Sequence, residues 1–157
     1  MVNPKWRASM VVPVTASLQC VWEILNDFCG LKKWQPTLLV CERVDGTPAQ
    51  GPGCVRYVSF PSPYSPGQIA WAKEKLTSLD CTNHYYGYTI SDTNVKGFDG
   101  YEGTLQVIEG MEEEKCCVKW SFELNPVDGL SQQEFVDNFS SVLTATINSL
   151  QDVVSFH

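Results

Sequence analysis

Histidine is nearly absent from this chain. Only His84 and His157 occur in 157 residues, so a zinc site or a cysteine–histidine nucleophile pair has little to build from. Positive charge is also short, with 11 Lys and Arg against 18 Asp and Glu and a net charge of −7. Nucleic acid and anionic membrane both select a basic patch, so neither is expected as a partner. The acidity is spread along the chain and reads as solubility. No apolar run approaches the roughly 20 residues that span a bilayer. The opening MVNPKWRASMVV lacks the apolar stretch of a secretory leader. No membrane insertion is therefore expected. Repeats, low-complexity tracts and linkers are missing too, and the expectation is one domain over residues 1–157 with a real core. Cysteine is plentiful, at seven, but no CxxC pair occurs. The cysteines read as reduced, mostly buried thiols of a cytoplasmic protein. None has the charged neighbours that favour a reactive thiolate.

What is present is a change of period along the chain. Residues 5–12 read as a first strand, ended by Pro13. Thr15 or Ser17 can cap a helix to about Phe28. Leu18, Val21, Trp22, Leu25 and Phe28 form its apolar stripe, and Gly30 stops it. One further turn over residues 31–34 precedes Pro36. The period then falls to two, with strands expected at 37–44, 53–60, 68–80, 84–90, 101–109 and 116–124. The loops are rich in Gly and Pro. PSPYSPG is stiff, with Tyr64 at its tip, and SDTNVKGFDG can bend over an opening. Ser131 caps a last helix to about Val154, about 36 Å long at 1.5 Å per residue. Its buried stripe is Phe135, Phe139, Val142, Leu143, Thr146, Leu150 and Val153. Consecutive strands with segregated helices give an α+β class and an antiparallel sheet. A sheet curled around so long a helix encloses space, and space that side chains leave empty is a pocket.

The stretch QIAWAKEKLTSLD, residues 68–80, organises the rest. As a strand it puts Ile69, Trp71, Lys73, Lys75 and Thr77 on one face. Ala70, Ala72, Glu74, Leu76 and Ser78 share the other. The lysine face is wet and the alanine face dry, which leaves Glu74 among apolar neighbours. An unpaired buried carboxylate is costly. Three readings fit: a structural ion pair, a register that turns Glu74 to water, or an acid/base group facing a cavity of small residues. Trp71, on the lysine face, packs outside. Tyr86 and Tyr88 share one strand face, and Tyr101, Leu105 and Val107 another. In the strand at 116–124, Cys116, Val118, Trp120, Phe122 and Leu124 turn inward. Trp22, Trp34 and Trp120 read as core, and His84 as a strand-end residue.

This layout and its motifs resemble the START-like superfamily with the helix-grip fold, and more closely the lachrymatory factor synthase family within it. The resemblance rests on GCVRYV at 53–58, WAKEKL at 71–76 followed by Leu79 and Asp80, and YGY at 86–88. It also rests on GxxxYxxTxQxxEG from Gly97 to Gly110, WSF at 120–122, and Asp27-Phe28, Leu31, Lys33 and Trp34 in the first helical region. It implies a curved antiparallel sheet of about seven strands around a long C-terminal helix, two short helices after the first strand, and a plant source. It implies that Arg56 and Glu74 are the catalytic pair and that Tyr88 and Tyr101 bind substrate in the cavity. The implied reaction isomerises an alkenyl sulfenic acid to a thial S-oxide and uses no cofactor.

The residue chemistry suits that reaction. A guanidinium is always charged and can hold a developing S–O⁻. A carboxylate in a dry pocket tends to keep its proton while a nearby Arg⁺ opposes this, so Glu74 can take and return one. Arg56 could equally pair with Glu74 or Asp80 and only hold the sheet. The Ser-Gly-Leu-Pro-Ala gate and His-Arg-Leu latch of the related abscisic-acid receptors do not occur here. The loop FPSPYSPGQ departs from the synthase pattern and leaves the substrate open. Two other readings stand beside the isomerase. One is a carrier or sensor of a small hydrophobic ligand anchored by Arg56; the other is polyketide-cyclase-like chemistry on a larger substrate. A cavity sized for a three-carbon sulfenic acid favours the isomerase, and a much larger one favours the others. The fold alone cannot choose.

Overall fold

The structure, a computed structural model, describes residues 4–62, 65–112 and 114–154; Tyr64 and His157 lie outside them. In chain order it holds β1 (Trp6–Val14), α1 (Leu18–Leu25), a 3₁₀ segment (Phe28–Lys33), β2 (Val40–Arg43) and β3 (Val55–Pro61). There follow β4 (Ile69–Asp80), β5 (Tyr85–Thr93), β6 (Glu102–Glu109), β7 (Cys116–Leu124) and α2 (Gln132–Val154). The seven strands form one antiparallel sheet in the order β1-β7-β6-β5-β4-β3-β2. From β2 to β7 each strand pairs with the next in sequence, and β1 closes the far edge against β7. The sheet curves around α2, which is the helix-grip arrangement. No helix among the described residues is long and apolar enough to cross a membrane.

The alternation expected of β7 holds along its whole length. Cys116, Val118, Trp120, Phe122 and Leu124 are all buried, and they meet Val21 and Leu25 of α1 and Ile147 and Leu150 of α2 in one core. Burying each aliphatic side chain of that kind contributes about 1.5–3 kcal/mol.

Several local expectations change. Pro13 does not end β1, which continues to Val14 with Pro13 opposite Cys117. Proline is tolerated there because β1 is an edge strand with a free side for a residue that has no N–H. The first helix ends at Leu25, short of Phe28. Ser17 caps it by accepting from the Cys20 N–H at 3.2 Å, and Asp27 then leaves helical backbone at ψ 84°. Gly30 lies inside the 3₁₀ segment. A side chain at Gly30 would collide with the Asp27 carboxylate, so the glycine supplies room for a kink. The strand expected at 37–44 shrinks to Val40–Arg43, while β5 extends to Thr93.

The stripe of α2 is rotated from the expected one. Val142 is 54% exposed, while Ile147 is fully buried and Val154 is more buried than Val153. The 3.6-residue period carries the inward line through Phe135, Leu143, Ile147, Leu150 and Val154. Val142 looks instead onto the cavity described next.

Candidate functional site

The ladder between β3 and β4 runs unbroken from Val55 to Pro61 and sets Arg56 directly opposite Glu74. Directly paired residues of an antiparallel ladder project to the same face, and here that face is the concave one. Arg56 Nε donates to Glu74 Oε1 at 2.7 Å, and Arg56 Nη1 donates to the Phe28 carbonyl at 2.7 Å. The guanidinium carbon lies 3.9 Å from the centre of the Phe28 ring and 5.4 Å from that of Tyr88. The kink after α1 thus supplies Arg56 with both an acceptor and an aromatic face. Burial alone works against charge on this arginine, but Glu74, then Tyr86, Tyr88 and Cys41, more than offset it and push its pKa up. Asp80, the other partner considered for Arg56, instead accepts from the backbone N–H groups of Thr82 and Asn83 and closes the β4–β5 turn.

Arg56 and Glu74 differ in access. The Arg56 side chain is 2% exposed and that of Glu74 is 13% exposed. Glu74 is therefore the member of the pair that a ligand reaches more easily. Two register irregularities between β4 and β5, at Lys73/Glu74 and Leu76/Ser78, flank this position. Bulges of this kind bend a strand and re-aim its side chains.

Tyr88 and Tyr101 sit beside the pair, their hydroxyls 2.7 Å apart. Trp120 Nε1 donates to the Tyr88 hydroxyl at 3.2 Å. Burial raises the pKa of both tyrosines, Tyr88 far above the ordinary phenol. The negative charge of Glu74 adds to the rise in each, and Arg56 opposes it. Gly103 lies opposite Tyr88 in the β5–β6 ladder. A Cβ on Gly103 would come within 2.7 Å of the Tyr88 hydroxyl, so only a glycine leaves room for this phenol.

All four residues singled out in the sequence line one cavity of about 680 Å³ between the concave sheet and α2. The polar cluster of Arg56, Glu74, Tyr88 and Tyr101 lies among apolar walls that include Val58, Ala72, Ile90 and Leu143. Phe98, Phe135 and Phe139 form a further aromatic wall, joined edge-to-face or stacked at 5.5–6.0 Å. Gln35, Thr37, Glu134 and Asn138 add other polar groups to the lining. Among the described residues, no buried side-chain nitrogen or oxygen lacks a hydrogen-bond partner.

Other expectations fall as follows. Trp71 stacks on Tyr57 at 6.0 Å, away from the cavity lining. Tyr86 is buried against the Phe28 ring at 5.8 Å and does not line the cavity, so only Tyr88 of that face does. His84 lies in the turn just before β5, with φ 55°, edge-on to Trp22 at 5.5 Å. Among the described residues no cluster of His, Cys, Asp and Glu is suited to a metal ion. All seven cysteines are free thiols, with Cys29 and Cys54 sulfurs 3.6 Å apart. Burial, with Cys54 beside it, pushes the Cys29 thiol up to about 12.

Sequence reasoning missed three contributors. Phe28 was a helix-stripe residue, Gly103 an unremarked position in a longer motif, and Trp120 plain core. A signal existed for Trp120, since a buried indole N–H needs an acceptor and two tyrosines were expected nearby.

A curved sheet gripping one long helix over a largely apolar cavity defines a protein of the helix-grip class. More particularly, residues 5–155 match the family described as polyketide cyclase / dehydrase and lipid transport, and the chain belongs to that family. It shares its fold with solved bacterial structures. A putative uncharacterized protein from Bacillus thuringiensis is 22% identical, with a TM-score of 0.77 over 94% of this chain and 98% of that one. The protein XoxI from Bacillus cereus is 23% identical, with a TM-score of 0.77 over 98% of this chain and 96% of that one.

Proposed function

We propose that the chain is a cofactor-independent isomerase that moves a proton on a small substrate held between Arg56 and Glu74. The observation that carries this reading is the buried 2.7 Å Arg56–Glu74 pair lining an otherwise mainly apolar cavity. The motif resemblance narrows the substrate to an alkenyl sulfenic acid and the product to a thial S-oxide. Glu74 takes the sulfenic O–H proton and returns it to the alkene carbon remote from sulfur. The carbon–carbon double bond becomes a carbon–sulfur one, so atoms and charge balance without an oxidant. Arg56 holds the S–O⁻ that develops, and Tyr88 and Tyr101 bind the substrate beside it. The cytoplasmic setting expected from the reduced thiols belongs to the same proposal.

The test mixes the protein with alliinase and 1-propenyl cysteine sulfoxide and follows thial S-oxide. Wild-type protein is expected to form it, and Glu74→Gln and Arg56→Leu are expected to abolish it. Formation by either variant at the wild-type rate counts against the assignment.

Cavity size favours a second reading over the isomerase. A volume of about 680 Å³ is far more than a three-carbon sulfenic acid fills and lies in the ~300–1,000 Å³ range of sites for drug-sized ligands. In this reading the same cavity binds a larger hydrophobic molecule, with its polar group on Arg56 and the tyrosines. It is favoured if thial S-oxide does not form and native mass spectrometry finds an apolar molecule bound to the purified protein.

A further inference from the structure

We propose that Trp120, Tyr88 and Tyr101 form a directed hydrogen-bond chain that delivers one phenolic O–H to an oxygen of the bound molecule, with Trp120 and Gly103 as its positioning residues. This rests on the proposed function only in that a molecule with a polar oxygen occupies the Arg56 end of the cavity.

The argument is a count of donors. An indole nitrogen can only donate, whereas a phenol has one proton to give and can also accept. Trp120 Nε1 donates to the Tyr88 oxygen at 3.2 Å and also reaches the Tyr101 hydroxyl, so the indole N–H makes acceptors of both oxygens. A hydroxyl that accepts becomes a better donor, because hydrogen bonds in a chain polarise one another. Tyr88, which holds the 3.2 Å indole contact, therefore gives its proton to Tyr101 across the 2.7 Å contact. The Tyr101 proton is then the one left over. Tyr101 lines the cavity and belongs to the same polar cluster as Arg56 and Glu74.

The cluster as a whole then reads as two donors and one acceptor. Arg56 and Tyr101 present hydrogens, and Glu74 alone accepts. Such a set selects an oxygen that is anionic or becomes so, and it discriminates against a purely apolar molecule of the same shape. Gly103 keeps the chain in place by a different means. The Tyr88 ring lies against the β6 backbone where a side chain on residue 103 would overlap it. Gly103→Ala removes no donor, yet it must displace the Tyr88 hydroxyl from both of its partners.

The experiment compares two fluorescent probes of closely similar ring structure. Anilinonaphthalene sulfonate carries an anionic oxygen group, and N-phenyl-naphthylamine lacks it. Trp120 is replaced site-specifically by 3-benzothienyl-alanine, which keeps the shape of the indole and removes its N–H. Trp120→Phe and Gly103→Ala are measured alongside. The benzothienyl variant is expected to bind the sulfonate about three- to tenfold more weakly, the effect of one neutral hydrogen bond. Its affinity for the uncharged probe is expected to hold within about twofold on the same scale. Tyr101→Phe should reproduce that split, and combining it with the benzothienyl residue should add nothing further.

An equal loss for both probes, or no loss for either, overturns the chain and leaves the polar-end reading standing. If the wild type itself binds the sulfonate no better than the uncharged probe, the polar-end reading fails as well. Should Gly103→Ala not fold, the benzothienyl variant still decides the matter.

Discussion

Removing one member of the Arg56–Glu74 pair strands a charge, and the cost can be worked out from the contacts. Truncating one partner of a buried ion pair costs about 3–5 kcal/mol. Arg56→Met also gives up the contact over Phe28, worth about 1–2 kcal/mol when desolvated. Glu74→Gln belongs at the lower end of the range, since an amide oxygen can still accept from Arg56 Nε and the side chain is 13% exposed. Replacing both residues, Arg56→Met with Glu74→Leu, removes both charges. What remains is the orphaned Phe28 carbonyl, about 1–3 kcal/mol, and the hydrogen bond that Tyr86 loses with Arg56. The double variant is therefore expected to be more stable than Arg56→Met alone, with a coupling of at least about 2–3 kcal/mol in a double-mutant cycle. A domain of this size has on the order of 10 kcal/mol to lose, so every variant should remain folded. Urea titrations read by circular dichroism supply the numbers, provided the slope m stays constant. Additive single effects, or an Arg56→Met loss below about 1 kcal/mol, would refute the view that buried charge governs this site. Under the proposed function the double variant is also folded and inactive, which separates chemistry from stability.

Alkaline pH tests the tyrosines. Their folded pKa values lie above the ordinary 10.0, so above that value the unfolded chain loses protons that the folded chain keeps. Stability should thus fall by up to about 1.4 kcal/mol per pH unit for each of Tyr86, Tyr88 and Tyr101; a flat profile in denaturant titrations between pH 10 and 11 would contradict the burial. The thiols give a chemical readout: Cys81 is exposed, while burial pushes Cys29 up to about 12 and Cys116 up to about 11. Iodoacetamide at mildly alkaline pH should therefore label Cys81 well before those two, as followed by peptide mass spectrometry. The rotated stripe of α2 predicts a loss of about 2–5 kcal/mol for Ile147→Ala and within about 0.5 kcal/mol for Val142→Ala. Comparable losses in thermal unfolding would restore the stripe read from sequence.

The parts of the fold that follow from strict alternation were legible in advance. The strand at 116–124 has an inward residue at every second position, and its bounds and inner face emerged as read. The same parity argument put Glu74 with Ala70 and Ala72 on the inner side of β4, and Ala70 and Ala72 are buried there. Positions that depend on partners in three dimensions were not legible. Nothing local to Pro13 tells that its strand will be an edge. Gly30 has the look of a helix stop, but its role is to clear space for Asp27. A helical stripe read over six turns drifts in phase, which is how Val142 was placed inside and Ile147 left out. At the site, Glu74 came from parity and motif likeness together, and Arg56 from motif likeness alone. Phe28 and Trp120 contribute a carbonyl and an N–H at angles that only the folded chain sets.

Because Arg56 and Glu74 are rungs of a single hairpin, their spacing is inherited from backbone pairing and owes little to the chamber around them. Val58 and Ala72 of that hairpin supply part of the wall, and the rest comes from other places, chiefly α2 and the loop holding Phe98. Substitutions there can resize or reshape the space while the charged end stays as it is. The molecule is divided into a fixed charged floor and an adjustable enclosure, a division that would let relatives of this chain accept very different guests on one unchanged ionic seat.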